Sequence, residues 1–186
     1  MIALLAPGQG SQTPGMLSPW LDDPEADKQL AAWSDVAGLD LLRLGTTAEA
    51  AEIKDTAVTQ PLVVAAALLA AARLDVPAST PVAGHSVGEL AAAAIAGVLS
   101  PDAAVALAAV RGREMAAACA REETGMSAVL GGDPDAVLAR LAELGLDPAN
   151  VNGAGQIVAA GPVASLAARE EEPPARAPGK PHPLAG

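Results

Sequence analysis

Gly84-His85-Ser86-Val87-Gly88 sets a glycine two positions either side of a serine, between the short run Thr80-Pro81-Val82-Ala83 and the alanine-rich stretch Leu90 to Val98. The flanks predict a strand before the turn and a helix after it, with Ser100-Pro101 ending the helix. A backbone passes this abruptly from strand to helix only if its neighbours leave room, so the pattern is that of a nucleophile elbow. The turn lifts the serine Oγ above the sheet and aims the first amides of the helix, starting with that of Val87, at one point. Those amides can stabilise the oxyanion of a tetrahedral intermediate. An ordinary glycine-rich turn is the alternative, because serine between glycines also arises by chance in a chain rich in Ala and Gly.

The rest of the chain supplies an α/β setting. Ile2 to Ala6 is a continuous apolar run closed by Pro7-Gly8, as in a buried parallel strand, and the loop Gly8-Gln9-Gly10-Ser11-Gln12 follows at its carboxyl end, where open α/β sheets bind ligands. Thr56 to Leu74 predicts a mostly buried helix with Pro61 in its first turn, and Pro101 to Arg121 a second long helix with Asp102 near its amino end. After Gly125 the elements shorten: Met126 to Leu130 and Gln156 to Ala160 predict strands, Pro134 to Leu144 and Pro162 to Arg169 helices. The expected division is an α/β core over residues 1–122, a small α+β unit over 125–171, and a tail over 172–186. In that tail Pro173, Pro174, Pro178, Pro181 and Pro183 follow three glutamates, a composition of disordered chain.

Composition removes several classes. The 186 residues allow one substantial core with a small unit beside it. An apolar content of 51% is largely alanine, and the longest apolar stretch, Leu62 to Ala72, ends at Arg73 and is too short to span a bilayer. Met1 to Ala6 has no basic flank and meets Pro7 at once, which is unlike a signal peptide, so a cytoplasmic protein is expected. The start at Met1 directly before the first strand suggests a discrete protein rather than one domain of a synthase. Cys119, the one cysteine, excludes an internal disulfide and is expected as a small buried helix residue; with two histidines it argues against a metal cluster. A net charge of -11, no Phe or Tyr, and only Trp20 and Trp33 for stacking argue against nucleic acid.

Gly84-His85-Ser86-Val87-Gly88-Glu89, together with Pro7-Gly8-Gln9-Gly10-Ser11-Gln12, resembles the malonyl-CoA:acyl-carrier-protein transacylases and the related acyltransferase domains of polyketide and fatty-acid synthases. Thr59-Gln60-Pro61, Arg111-Gly112-Arg113 and Asn152-Gly153-Ala154-Gly155-Gln156 follow the family in order, and the likeness covers roughly residues 1–170. It implies a partial α/β-hydrolase-like parallel sheet bearing the elbow, with a small ferredoxin-like α+β subdomain. It implies that Ser86 accepts malonyl from malonyl-CoA and passes it to the phosphopantetheine thiol of acyl carrier protein, a ping-pong transfer that needs no cofactor. The same resemblance puts the amides of Gln9 and Val87 in the oxyanion hole, and Arg111, Gln60, Met115 and His85 around the substrate.

Arg111 also has a reason of its own. A planar fork of donors matches a carboxylate, and an arginine inside the apolar stretch Val105 to Ala118 would be costly to bury unpaired; reaching solvent, or pairing with Glu114 or Glu89, are the alternatives. His85 is a poor base for Ser86, because neighbouring side chains diverge at a sharp turn. Glu89 reads as a helix-start residue or an arginine partner. The pattern departs from the family at its activating histidine, since His182, in Lys180-Pro181-His182-Pro183, does not resemble the segment that carries it. The chain is therefore expected to stop short of that histidine and to be weakly active or inactive. The competing functions are a non-catalytic fragment that binds coenzyme A thioesters or a carrier protein, and a serine hydrolase, for which Arg111 has no use.

Overall fold

The computed structural model describes residues 2–152, 155–170 and 180–183. It is a mixed α/β protein with a parallel sheet, and it divides into two compact units, Met1–Ala117 and Ala118–Gly186. The division falls near the end of a long helix, a few residues before the boundary expected at 122–125.

In the first unit, strands β1 (Leu4–Ala6) and β2 (Val82–Gly84) pair in parallel, with Leu4 opposite Val82 and Ala6 opposite Gly84. Helices α1 (Pro24–Ala37), α2 (Leu41–Thr46) and α3 (Thr56–Ala71) lie between them in sequence, and α4 (Gly88–Ile95) and α5 (Pro101–Cys119) follow β2. Local chemistry explains the helix ends. The Asp23 carboxylate accepts the Glu25 amide, Pro24 occupies the first position of α1, and Gly38 stops the helix at φ 69°. Asp55 likewise accepts the Ala57 amide to begin α3. Pro61 lies one turn deeper in α3 than expected, so it cannot donate to the carbonyl of Ala57.

Leu30, Trp33, Leu41, Leu62, Leu69, Val87 and Val105 form the buried centre of this unit. Each large aliphatic among them contributes about 1.5–3 kcal/mol by leaving water. The indole Nε1 of Trp33 donates to the Asp102 carboxylate at 2.9 Å, tying α1 to the first turn of α5. Strand alternation turns Ala6 inward and leaves Leu5 on the other face, 78% exposed.

The second unit contains β3 (Thr124–Leu130), α6 (Pro134–Glu143), β4 (Asp147–Asn152), β5 (Gln156–Pro162), α7 (Val163–Glu170) and β6 (Lys180–Pro183). Its sheet has the order β4-β5-β3-β6 with antiparallel neighbours throughout. Val129, Val137, Leu141, Leu146, Ile157 and Leu166 form its core. Strand β4 was not expected, because most of it is exposed and Pro148 and a register shift before Asn150 erase the apolar alternation.

Two expectations are corrected. The tail is not unstructured throughout: the backbone of Lys180–Pro183 pairs with Leu130–Ser127. Its prolines are compatible with a strand because β6 lies at the sheet edge, where one row of amides has no partner strand to serve. Residues 171–179 and 184–186 lie outside the described residues. Cys119, expected buried, is exposed at the end of α5. No helix among the described residues is long and apolar enough to cross a membrane.

Candidate active site

Ser86 has φ 54° and is the one non-glycine residue among those described with a positive φ. For an L-residue that conformation costs about 1–2 kcal/mol, and the surroundings hold it there. A Cβ on Gly84 would overlap the Gly88 carbonyl, and a Cβ on Gly88 would overlap the carbonyls of Ala6 and Pro7. Both glycines of the elbow are therefore required by backbone contact. The amide of His85 donates to the Ala6 carbonyl at 3.0 Å, continuing the parallel ladder up to the turn. The amides of Gly88 and Glu89 then bond back to His85 and Ser86 at 2.9 and 3.0 Å.

The loop after β1 is pressed against this elbow. A Cβ on Gly8 would lie 2.7 Å from both the carbonyl oxygen and the Nδ1 of His85. The amide of Gly10 is taken by the Gln12 side chain at 2.8 Å, and the Ser11 hydroxyl donates to the Gly8 carbonyl at 2.8 Å. The amides of Gln9 and Val87 make no hydrogen bond to any described residue. Orphan amides at a helix start and in an adjoining loop are disposed to donate to an anionic oxygen.

A chain of side chains completes the site within the first unit. Arg111 donates from Nη2 to the Ser86 Oγ at 3.1 Å and from Nη1 to the Gln60 Oε1 at 2.7 Å. Gln60, fully buried, directs its Nε2 to the Gln9 Oε1 at 3.4 Å and to the Met115 Sδ at 3.2 Å. The Nε2 of Gln9 donates to the Thr56 hydroxyl at 3.1 Å. Gly112 explains how α5 comes close enough: its Cβ would sit 2.8 Å from the Thr56 carbonyl oxygen and 3.1 Å from the Ala57 Cα.

The structure thus brings together Ser86, Gln9, Gln60, Arg111 and Met115, and Val87, next to the serine in sequence, is buried. His85 stands beside them but is exposed and makes no hydrogen bond to the Ser86 Oγ. Arg111 forms no ion pair among the described residues, so neither Glu114 nor Glu89 neutralises it. Glu89 is in the first turn of α4, as a helix-start residue. Thr56 was not singled out from sequence, since a threonine at a helix start carries no signal of the loop it meets. Asn152 donates to Gln156 at 2.7 Å in the second unit, bridging β4 and β5; Gly153 and Ala154 between them lie outside the described residues.

Residues 4–177 match the family model described as the acyl transferase domain. The chain belongs to this family. It is 66% identical over 182 residues to the malonyl CoA-acyl carrier protein transacylase of Mycobacterium tuberculosis (strain CDC 1551 / Oshkosh), covering 95% of this chain and 60% of that one. The crystal structure of MCAT from Mycobacterium tuberculosis aligns with a TM-score of 0.90 at 62% identity, over 99% of this chain and 62% of that one. A malonyl-transacylase in complex with its type II PKS acyl-carrier protein aligns with a TM-score of 0.85 at 31% identity, over 99% of this chain and 62% of that one. The chain accordingly spans about 60% of the length of the curated mycobacterial acyltransferases it matches.

Proposed function

We propose that this acyltransferase chain carries the acyl-accepting centre for moving a malonyl group from malonyl-CoA to the phosphopantetheine thiol of acyl carrier protein, in cytoplasmic fatty-acid or polyketide synthesis. The observation that carries this reading is the guanidinium of Arg111, unneutralised by any described carboxylate and 3.1 Å from the Ser86 Oγ. A cation waiting beside a serine nucleophile selects an acyl group with a free carboxylate, and malonyl is such a group. A hydrolase of neutral esters gains nothing from it.

In this mechanism the Ser86 Oγ attacks the thioester carbonyl, whose oxygen becomes the oxyanion held by the amides of Gln9 and Val87. The carbon–sulfur bond breaks, and coenzyme A leaves as the thiol with the proton that the serine gives up. Attack by the carrier thiol on the acyl-serine reverses the steps and restores the hydroxyl, so no cofactor is consumed. Arg111 turns from Ser86 to the malonyl carboxylate, while Gln60 keeps one guanidinium nitrogen in place and Met115 lines the pocket beside it. His85 has a place at the pocket rim and no role as base.

The only described side chain bonded to the Ser86 Oγ is a donor, so nothing described here accepts its proton. General-base assistance adds about 10²- to 10⁴-fold, and slow acylation of the 186-residue chain by itself is expected. Two finer features of the fold belong to the same reading. The parallel pair β1–β2 with its elbow is taken as part of an α/β-hydrolase-like sheet. The sequence β3-α6-β4-β5-α7-β6 with sheet order β4-β5-β3-β6 supports a ferredoxin-like second unit.

The test is to incubate the chain and a Ser86→Ala variant with malonyl-CoA and weigh the intact proteins. A malonyl increment that requires Ser86 supports the transfer reading. A folded chain that binds malonyl-CoA without an increment points to the non-catalytic binding module, and release of free malonate without an accumulated adduct points to the hydrolase.

A further inference from the structure

Gln9 lies on an exposed loop, yet its carboxamide is engaged at both ends: Nε2 donates to the Thr56 hydroxyl at 3.1 Å and Oε1 accepts from the buried Gln60 at 3.4 Å. A long polar side chain in water does not ordinarily surrender its rotamer freedom, and this clamp fixes Gln9 where an ordinary loop glutamine would move. Thr56 is itself fixed. It is the first residue of α3, directly after the capping Asp55, and its carbonyl faces Gly112 of α5 with no room for a Cβ between them. Because Asp55 caps the helix, the Thr56 hydroxyl is not needed for that purpose. The atom it holds belongs to Gln9, whose main-chain amide, like that of Val87, makes no hydrogen bond to any described residue.

We propose that Thr56 is a positioning residue for the reaction at Ser86: its hydroxyl anchors one end of the Gln9 carboxamide, Gln60 holds the other, and the two together keep the Gln9 amide aimed at the oxyanion. The proposal rests on the reading of Ser86 as a nucleophile with Gln9 in its oxyanion hole. It adds that Gln60 serves both halves of the site, through Arg111 on its carbonyl side and through the Gln9 loop on its amide side. Thr56 touches no reacting atom and acts only through Gln9.

The test compares Thr56→Val, which keeps the shape and removes the hydroxyl, with Thr56→Ser, which keeps the hydroxyl, in the full chain. Ser86 is labelled with an alkyl phosphonofluoridate, whose phosphoryl oxygen takes the place of the thioester carbonyl, and malonylation by malonyl-CoA is followed in parallel. Thr56→Val is expected to lower the labelling rate about tenfold, less than outright loss of an oxyanion donor, while Thr56→Ser stays within about twofold of the parent. The malonyl-CoA concentration giving half-maximal malonylation rate should not move, because Arg111 is untouched. Gln9→Ala, which removes the carboxamide and retains the main-chain amide, should show the same loss, and it carries the test if Thr56→Val does not fold.

Parental rates in Thr56→Val or Gln9→Ala overturn the proposal, as do equal losses in Thr56→Val and Thr56→Ser. Failure of the parent to label at Ser86 overturns it as well. If the parent is labelled by the phosphonofluoridate but never malonylated, and the valine and serine variants still differ, the positioning role stands and the malonyl reading falls.

Discussion

Two of the molecule's strand-to-helix turns are made by opposite means. Between β2 and α4 the turn residue is Ser86 at φ 54°, its flanking glycines are crowded by backbone, and no side chain caps the helix. Between β3 and α6 the turn is made by Gly131 and Gly132 at φ 76° and 84°, a Cβ on Gly131 would meet nothing within 4 Å, and Asp133 caps the helix by accepting the Ala136 amide. The second connection follows the low-energy rules for such a turn; the first breaks them at one residue and leaves an amide uncapped. The difference teaches where the chain tolerates strain: at the single serine whose Oγ a guanidinium already touches.

The largest effect should come from treating the two turns alike. Gly88→Ala drives a methyl into the Ala6 and Pro7 carbonyls, which are backbone and cannot swing aside, so a loss of about 3–5 kcal/mol or failure to fold is expected. Gly131→Ala, in open space, should cost only about 1–2 kcal/mol. Urea unfolding of the two variants decides it, and similar losses would remove the contrast.

Next in size is Arg111→Lys, which keeps the charge and loses the fork. Two charge-assisted bonds at about 1.5 kcal/mol each correspond to about 100-fold in Ser86 malonylation rate, read by intact mass over time. Asp133→Ala should destabilise the second unit by about 1 kcal/mol, visible by hydrogen exchange across α6, with Ser86 acylation unchanged. The smallest effect sharpens the comparison most: Ser86→Gly should gain up to about 1 kcal/mol in thermal or urea unfolding while abolishing acylation. A loss of stability there would mean that the serine hydroxyl's bond with Arg111 outweighs the backbone strain.

Much of this was readable in the sequence, for reasons that can be named. The elbow was legible because its glycines answer a backbone demand that no side chain can meet. The helices after it were legible from Pro101 and Pro134 at their starts. Gln9, Gln60, Arg111 and Met115 were named through family resemblance, and the structure joins them by hydrogen bonds that the residue types alone did not specify. Strand β4 was illegible because it is exposed on both faces for most of its length, and β6 because prolines argue against strands everywhere except at an edge. Helix α1 went unassigned although Asp23-Pro24 and Gly38 mark both its ends. Gly112 carries no signal in sequence beyond its place between two arginines; its reason, the passage of α5 against the start of α3, lies in tertiary contact.

The lack of tyrosine gives Trp33 and Trp20 a further use. Both lie in the first unit, so near-ultraviolet absorption and emission from the folded chain are reported from one unit while the other is optically silent. Trp33 is the more telling of the two, being buried and hydrogen-bonded to the foot of the helix that carries Arg111. Its emission wavelength is a built-in gauge of whether that helix is seated. A melt followed at that wavelength, set beside one followed by backbone circular dichroism, separates the fate of the first unit from that of the second without any added label.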